Sequence, residues 1–281
     1  MRISVTPIGH ATTLIELGDF RIITDPVFST KIGMSFAGFV VGTPRLRPPT
    51  LALNELPPIQ AVLLSHAHFD HADKPSLRGL PREATAVVHR RNRDLVRRFK
   101  ARHELQWGES IWLEKDGEPF VKVTGTAAKH WGARTLYDSW RGWGGFLLEV
   151  PSLPSPNFPE QPFSILFAGD TAQTDAFRIL RQQRQGRGVD LALMPIGAYD
   201  PWIFNHCNPE QAWDMAINDL GAHWFLPIHY EVFSLSNEPL GEPIQRLKAI
   251  AQANNLLHRV VGIPIGERFS LSIAEEEPCL V

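Results

Sequence analysis

The stretch His66-Ala67-His68-Phe69-Asp70-His71 puts three imidazoles and a carboxylate into six consecutive positions, directly after the apolar run Ala61-Val62-Leu63-Leu64. Imidazole nitrogen and carboxylate oxygen are the donors that Zn²⁺ and related divalent cations take from proteins. One histidine after a buried segment is an ordinary polar turn, but four donors in so short a span form a chelating loop. His66 and His68 can point together from an extended segment, while Asp70 and His71 reach a neighbouring point as the chain turns. That geometry suits two adjacent cations.

Each cation needs about four ligands, with one position kept for water or substrate in a catalytic site. Three isolated residues close β-like segments and are the candidates: His130 in GTAAKHW, Asp170 in SILFAGDT and His229 in HWFLPIHY. Strands that end at a common rim would collect them, Gly169 would allow close backbone approach, and the two oxygens of Asp170 could bridge the cations. Two such cations would bring the pKa of a shared water from about 15.7 toward about 7, making a bridging hydroxide the expected nucleophile, oriented by Asp70. His206 in IFNHCNPEQ precedes a helix start, where it could hydrogen-bond a phosphate oxygen or protonate a leaving alkoxide. Asp25 in ITDPVF and His10 in IGHATT are read as partners behind the ligand imidazoles, with a turn-former and a structural histidine as the plainer readings. His89, His103, His223 and His258 have no ligand context, and Cys207, without a recognisable base, reads as a passive thiol.

The elements that must position these donors are mostly strands. ISVTPIG, ATTLIEL, FRIITD, QAVLLS, ATAVVH, SIWLE and FVKVTG have β character, and helical periodicity appears at 91–102, 173–185, 208–220 and 243–254. Asn208-Pro209-Glu210-Gln211 supplies a capping Asn, Pro at the first helical position and Gln three residues after the cap. The Pro-rich 151–162 reads as a hairpin loop. With 281 residues, 43% hydrophobic content and a net charge of -2, the chain can bury a large core and shows no excess charge that points to a polyelectrolyte partner. The run HRRNRDLVRRFKARH is therefore read as a solvated helix face, and no nucleic acid is expected. Two cysteines exclude a disulfide framework and a Cys-rich zinc module. The strand-like N-terminus and the lack of a bilayer-length apolar stretch predict a cytoplasmic protein, with any membrane contact peripheral to the inner membrane surface.

HxHxDH, a lone His, a strand-terminal GD and a final His resemble the metallo-β-lactamase superfamily over nearly the whole chain. IGHATTLIE, ITDPVFS, ELPPIQAVLLSHAHFDH, KHWGARTL, FAGDT, MPIGAYDP, NPEQA and IHYEVF look more narrowly like the branch containing N-acylphosphatidylethanolamine-hydrolysing phospholipase D. The resemblance implies a single domain over 1–281, an α/β four-layer αββα sandwich, with a dinuclear site at one sheet edge. By position, His66, His68 and His130 would hold one metal, Asp70, His71 and His229 the other, with Asp170 bridging. Zinc is the metal implied first, and Mn²⁺ or Fe²⁺ also suits this donor set. The activity implied is phosphodiester hydrolysis, with a small-molecule or lipid diester as substrate. A lactonase or phosphate-ester hydrolase of the ascorbate-phosphate lactonase-like branch and a di-iron oxidoreductase are the alternatives.

Between ITDP and the next strand lie residues 31–49, too long and apolar for an ordinary connection. Met34, Phe36, Phe39, Val40 and Val41 show no strict strand or helix period, and Arg45 and Arg47 follow. This segment is read as a flap whose apolar part accepts an acyl chain or touches a membrane while the arginines meet phosphate, against packing into the core or a dimer interface.

Overall fold

The computed structural model describes residues 1–36, 39–135, 137–158 and 160–273, with the side chains of Ser35, Phe36 and Phe39 outside the description. The chain opens with the meander β1 (Arg2–Gly9), β2 (Thr12–Leu17) and β3 (Phe20–Thr24), continues through a separate hairpin β4 (Lys31–Phe36) and β5 (Phe39–Pro44), and then adds β6 (Ala61–Leu64), β7 (Thr85–His89) and β8 (Ala101–Leu105). A second series follows: β9 (Ser110–Lys115), β10 (Glu118–Thr126), β11 (Gly145–Pro154), β12 (Pro162–Phe167), β13 (Leu191–Pro195) and β14 (Trp224–Ile228), before β15 (Phe269–Ser272) returns to pair with β1. The result is a seven-stranded sheet in the order β15-β1-β2-β3-β6-β7-β8 and a six-stranded sheet in the order β14-β13-β12-β11-β10-β9.

Burial explains the layering. Ile3, Val5, Ile15, Ile22 and Leu63 of the first sheet share one apolar core with Val121, Val123, Phe146, Ile165 and Leu193 of the second, so the two sheets pack face to face. The outer face of the first sheet is covered by α1 (Lys74–Gly79), whose Leu77 meets Val62, Val88 and Phe99 in another apolar cluster. Phe177 of α2 (Ala176–Gln183), Trp213 of α3 (Pro209–Trp213) and Leu247 of α4 (Glu242–Ala253) cover the second sheet. This is the αββα sandwich. β6 and β13, flanked by parallel neighbours and covered on both faces, are buried at every position, which is why they read as continuous apolar runs.

Two expectations need correction. Residues 91–102 are not a helix: turns run from Arg90 to Lys100 and lead into β8. Asn92 is the physical reason, since its side-chain amide donates to the carbonyls of His89 and Gly142 and commits the backbone to a turn. Residues 31–36 and 39–44, expected to lack a strand period, pair as the strands β4 and β5, in which Ile32 is buried and Met34 exposed. Gly33 faces Gly42 so closely that a Cβ on either would strike the opposite backbone, and these glycines interrupt the pattern that would have revealed the strands. The capping box of α3 forms as read, with Asn208 and Gln211 exchanging side-chain and backbone hydrogen bonds.

Candidate metal centre

The donors converge because they follow the C-terminal ends of strands that run the same way. His10 follows β1, Asp25 follows β3 and the His66–His71 loop follows β6 in one sheet; His130 follows β10, Asp170 follows β12 and His229 follows β14 in the other. His10, Asp25 and His229 all adopt positive φ (57°, 30° and 61°), a conformation that costs L-residues energy and turns each side chain sharply into the rim. Gly169 does the same at φ 62°, and a Cβ there would meet the Ser65 side chain at 2.8 Å.

Two groups result. His66, His68, His130 and Asp170 form one, and His10, Asp70, His71 and His229 form the other, each with donor atoms within 4.8 Å of one another. Asp170 lies between them: its Oδ2 is 3.0 Å from His71 Nε2, 3.2 Å from His229 Nε2, 3.8 Å from His130 Nε2 and 3.9 Å from His66 Nε2. In the first group His66 Nε2 and His130 Nε2 approach His68 Nδ1 at 2.9 and 3.3 Å. Both oxygens of Asp170 and His71 Nε2 are buried without a hydrogen-bond partner, an arrangement costly in a folded protein and suited to cation ligation.

Electrostatics agree with that fit. Burial pushes His68 and His130 down to about 4 and His66 well below its usual range, which keeps these imidazoles neutral. Burial opposes ionisation of Asp70 and Asp170 as well, yet His71 and His229 outweigh it and hold both carboxyls well below the usual carboxylate range. In return, burial is overcome at His229 by Asp170 and Asp70, which raise it to about 9. Each group thus joins imidazole nitrogens to one ionised carboxylate, Asp170 in the first and Asp70 in the second, a mixed nitrogen and oxygen donor set that suits a divalent cation.

Behind the donors, Asp25 accepts from Ser65 N–H at 2.7 Å and from Ser65 Oγ at 2.5 Å, and contacts His71 Nδ1 at 2.6 Å. This carboxylate fixes the His71 ring with Nε2 facing the centre. His130 Nδ1 donates to the Asn205 carbonyl at 2.8 Å for the same purpose. His10 comes closer to the donors than a purely supporting reading requires, with Nε2 2.9 Å from Asp70 Oδ2 and its ring 3.9 Å from that of His229. His206 also joins the ring of donors: its Nδ1 is 3.8 Å from Asp170 Oδ2, and its ring stacks on His229. Burial takes His206 to about 4. Cys207 is buried, donates to the Pro195 carbonyl and is pushed up by burial, in keeping with a passive thiol.

Two contributors escaped the sequence reading. Ser65 links Asp25 to the ligand loop, and its only signal was a hydroxyl immediately before the first histidine. Arg134 donates to the carbonyls of Ala67 and Ala72, both at 2.8 Å, and stacks over Phe69, so it clasps the loop from outside. Arg45 and Arg47, read as phosphate contacts, have other partners. Arg45 donates to the Val27 and Ser29 carbonyls and lies over Phe233, while Arg47 pairs with Glu231 at 2.7 Å. They fasten the base of the hairpin because the chain leaving β5 passes directly beside residues 231–233. The side chains of Phe36 and Phe39 lie outside the described residues. The hairpin does line a cavity of about 500 Å³ through Lys31, Gly33, Met34 and Val40, with Phe69 of the ligand loop on its wall.

Residues 20–230 match the family model described as a β-lactamase superfamily domain. An uncharacterized protein of Mycobacterium tuberculosis is 32% identical over 95% of this chain and 68% of its own length. N-acyl-phosphatidylethanolamine-hydrolyzing phospholipase D 1 of Caenorhabditis elegans is 30% identical over 78% of this chain, which spans 63% of that protein. A metallo hydrolase from Ignicoccus hospitalis shares the fold, with a TM-score of 0.68 at 19% identity over 97% of this chain and 99% of its own.

Proposed function

The chain belongs to the metallo-β-lactamase superfamily of metal-dependent hydrolases, and from that premise we propose that it hydrolyses phosphodiesters carrying an acyl group at a dinuclear centre. The observation that carries this reading is the pairing of two donor groups about one unsatisfied carboxylate, Asp170, with an amphipathic cavity beside the ligand loop. The name of the nematode relative supports the substrate class.

His66, His68 and His130 would hold one cation and Asp70, His71 and His229 the other, with Asp170 common to both. Divalent cations in these positions supply a Lewis acid for a phosphoryl oxygen and lower the pKa of bound water. Asp70 is the more accessible of the two central carboxylates, with its side chain 13% exposed against 1% for Asp170, so it is the one that would accept a hydrogen bond from an attacking water and orient it. His206, neutral at pH 7, offers an imidazole hydrogen bond to substrate oxygen rather than a stored proton. A second, apolar cavity of about 420 Å³ lies between Met34, Trp131 and Tyr137, all exposed at their outer edges. Such amphipathic rings suit an acyl chain presented from a membrane surface, which makes peripheral contact part of the proposal.

The test is hydrolysis by metal-reconstituted protein across diesters of rising acyl length, lactones and β-lactams, with metal counted per chain. About two metals and a kcat/KM that climbs with acyl length are expected. Turnover of penicillins with none of any diester would overturn the substrate class.

A further inference from the structure

The Arg-rich run at residues 89–103 has no part in the proposed hydrolysis, and its turns give it a different use. They bring Arg97 and Arg98 to the wall of a small cavity of about 190 Å³ that is also lined by Lys74 and Arg78 of α1, with Leu77 and Phe99 beneath. Lys74 and Arg78 are four residues apart on one short helix, a like-charge spacing that costs helix stability unless something neutralises it. Among the described residues, neither the Lys74 ammonium nor the guanidinium of Arg78 or Arg97 has a hydrogen bond or an ion pair, and Arg98 reaches only the Arg78 carbonyl. The one acid on the wall is Asp94, already held by both Nη atoms of Arg141 at 2.6 and 3.0 Å. Four cations therefore surround the cavity and the single carboxylate is neutralised from outside it.

From this convergence we infer that Lys74, Arg78, Arg97 and Arg98 form a second binding site, separate from the donor cluster, for a phosphomonoester dianion. The cavity, about 190 Å³, has room for a phosphate. Guanidinium forks match phosphate oxygens in pairs, whereas the lysine adds a point charge. The cations meet at a concavity and do not run along a groove, which favours one compact anion over a nucleic-acid backbone. The site is joined to the metal rim by a short path: Lys74 follows the N-cap Asp73, two residues after the donor His71.

The test is calorimetric titration of the metal-loaded full chain with inorganic phosphate and with glycerol 3-phosphate, repeated in Asp170→Asn, Arg97→Gln/Arg98→Gln and Lys74→Gln/Arg78→Gln. One saturable event per chain is expected, retained in Asp170→Asn and weakened about tenfold or more in each double variant, the equivalent of about 1.4 kcal/mol. The event's survival in Asp170→Asn separates this site from the proposed hydrolysis, which that variant removes. Binding lost in Asp170→Asn but kept in both double variants would assign the anion to the metal centre and overturn the inference. Lys74 and Arg78 also line the larger cavity beside the ligand loop, so Arg97→Gln/Arg98→Gln, whose residues line only the small cavity of the two, decides between them. Phosphatidylcholine vesicles doped with phosphatidate, against equal charge carried by phosphatidylglycerol, identify the source. A phosphatidate preference abolished in the double variants marks a lipid headgroup, and soluble binding without that preference marks a free phosphomonoester; each supports the site. Equal binding to both vesicles with no soluble event is diffuse attraction to a basic face, and the inference falls.

Discussion

Asp170 and Asp190 are buried carboxylates of the same sheet, placed at opposite rims. Asp190 stands before β13, where its oxygens accept from Ser155 Oγ at 2.5 Å, Asn157 Nδ2 at 2.9 Å and Ser164 N–H at 2.9 Å. Asp170 stands after the neighbouring parallel strand β12, and neither of its oxygens accepts a hydrogen bond. Ringed by hydroxyl, amide and peptide donors, a buried carboxylate ties a loop to a sheet. Faced only by imidazoles whose nitrogens converge on it, the same group is a ligand in waiting. The two rims thus divide the labour: one ties Ser155 and Asn157 to the sheet, and the other concentrates reactive donors.

The sharpest way to break this contrast is Asp170→Asn. It should remove metal from both donor groups and lower kcat by about a thousandfold or more, as loss of metal-assisted chemistry does, with the metal-free protein still folded. Element analysis beside turnover checks this, and full occupancy with full activity would cancel the bridging role. Asp190→Ala should show the opposite profile. Three donors lose their acceptor, so stability should fall by about 3 kcal/mol, read by denaturant titration, while metal content and activity per folded molecule hold. Asp25→Asn tests the intermediate case of a satisfied carboxylate that also touches a donor. Metal affinity should drop by about 10- to 100-fold, with kcat recovering at saturating metal; an unaltered affinity would reduce Asp25 to a turn-former. The smallest effect belongs to Met34→Ser, which should trim the gain from long acyl chains by a few-fold and leave short-chain turnover alone.

The donor loop was legible because its residues are dense and follow a buried run, and His130, Asp170 and His229 because each closes a strand. His10, read as a partner behind the ligands, also follows a strand, β1, but a lone histidine in IGHATT gave no sign that its Nε2 would lie 2.9 Å from Asp70. Helix 91–102 was misread for a physical reason. Leu95, Val96 and Phe99 have helical spacing and do reach an apolar cluster, yet they do so from turns held by Asn92, which bonds locally to His89 and at long range to Gly142. The hairpin escaped because its pattern is broken by two glycines that matter only when seen opposite each other. Arg45 and Arg47 were misassigned since their partners, the Val27 and Ser29 carbonyls, Phe233 and Glu231, are fixed by tertiary contacts that local sequence does not encode.

That hairpin has a consequence for descent. Among the described residues its two strands pair only with each other, outside both large sheets, and Arg45 and Arg47 secure its base to residues 231–233. Every proposed metal donor lies beyond it, at strand ends whose register the sandwich holds. Exposed positions such as Met34 and Val41 can therefore change without moving a donor atom, whereas Ile32, packed with Val27, Val232, Phe233 and Phe69, and the facing Gly33 and Gly42 stay fixed. A lineage built on this chain can change the molecules it admits while inheriting its chemistry intact.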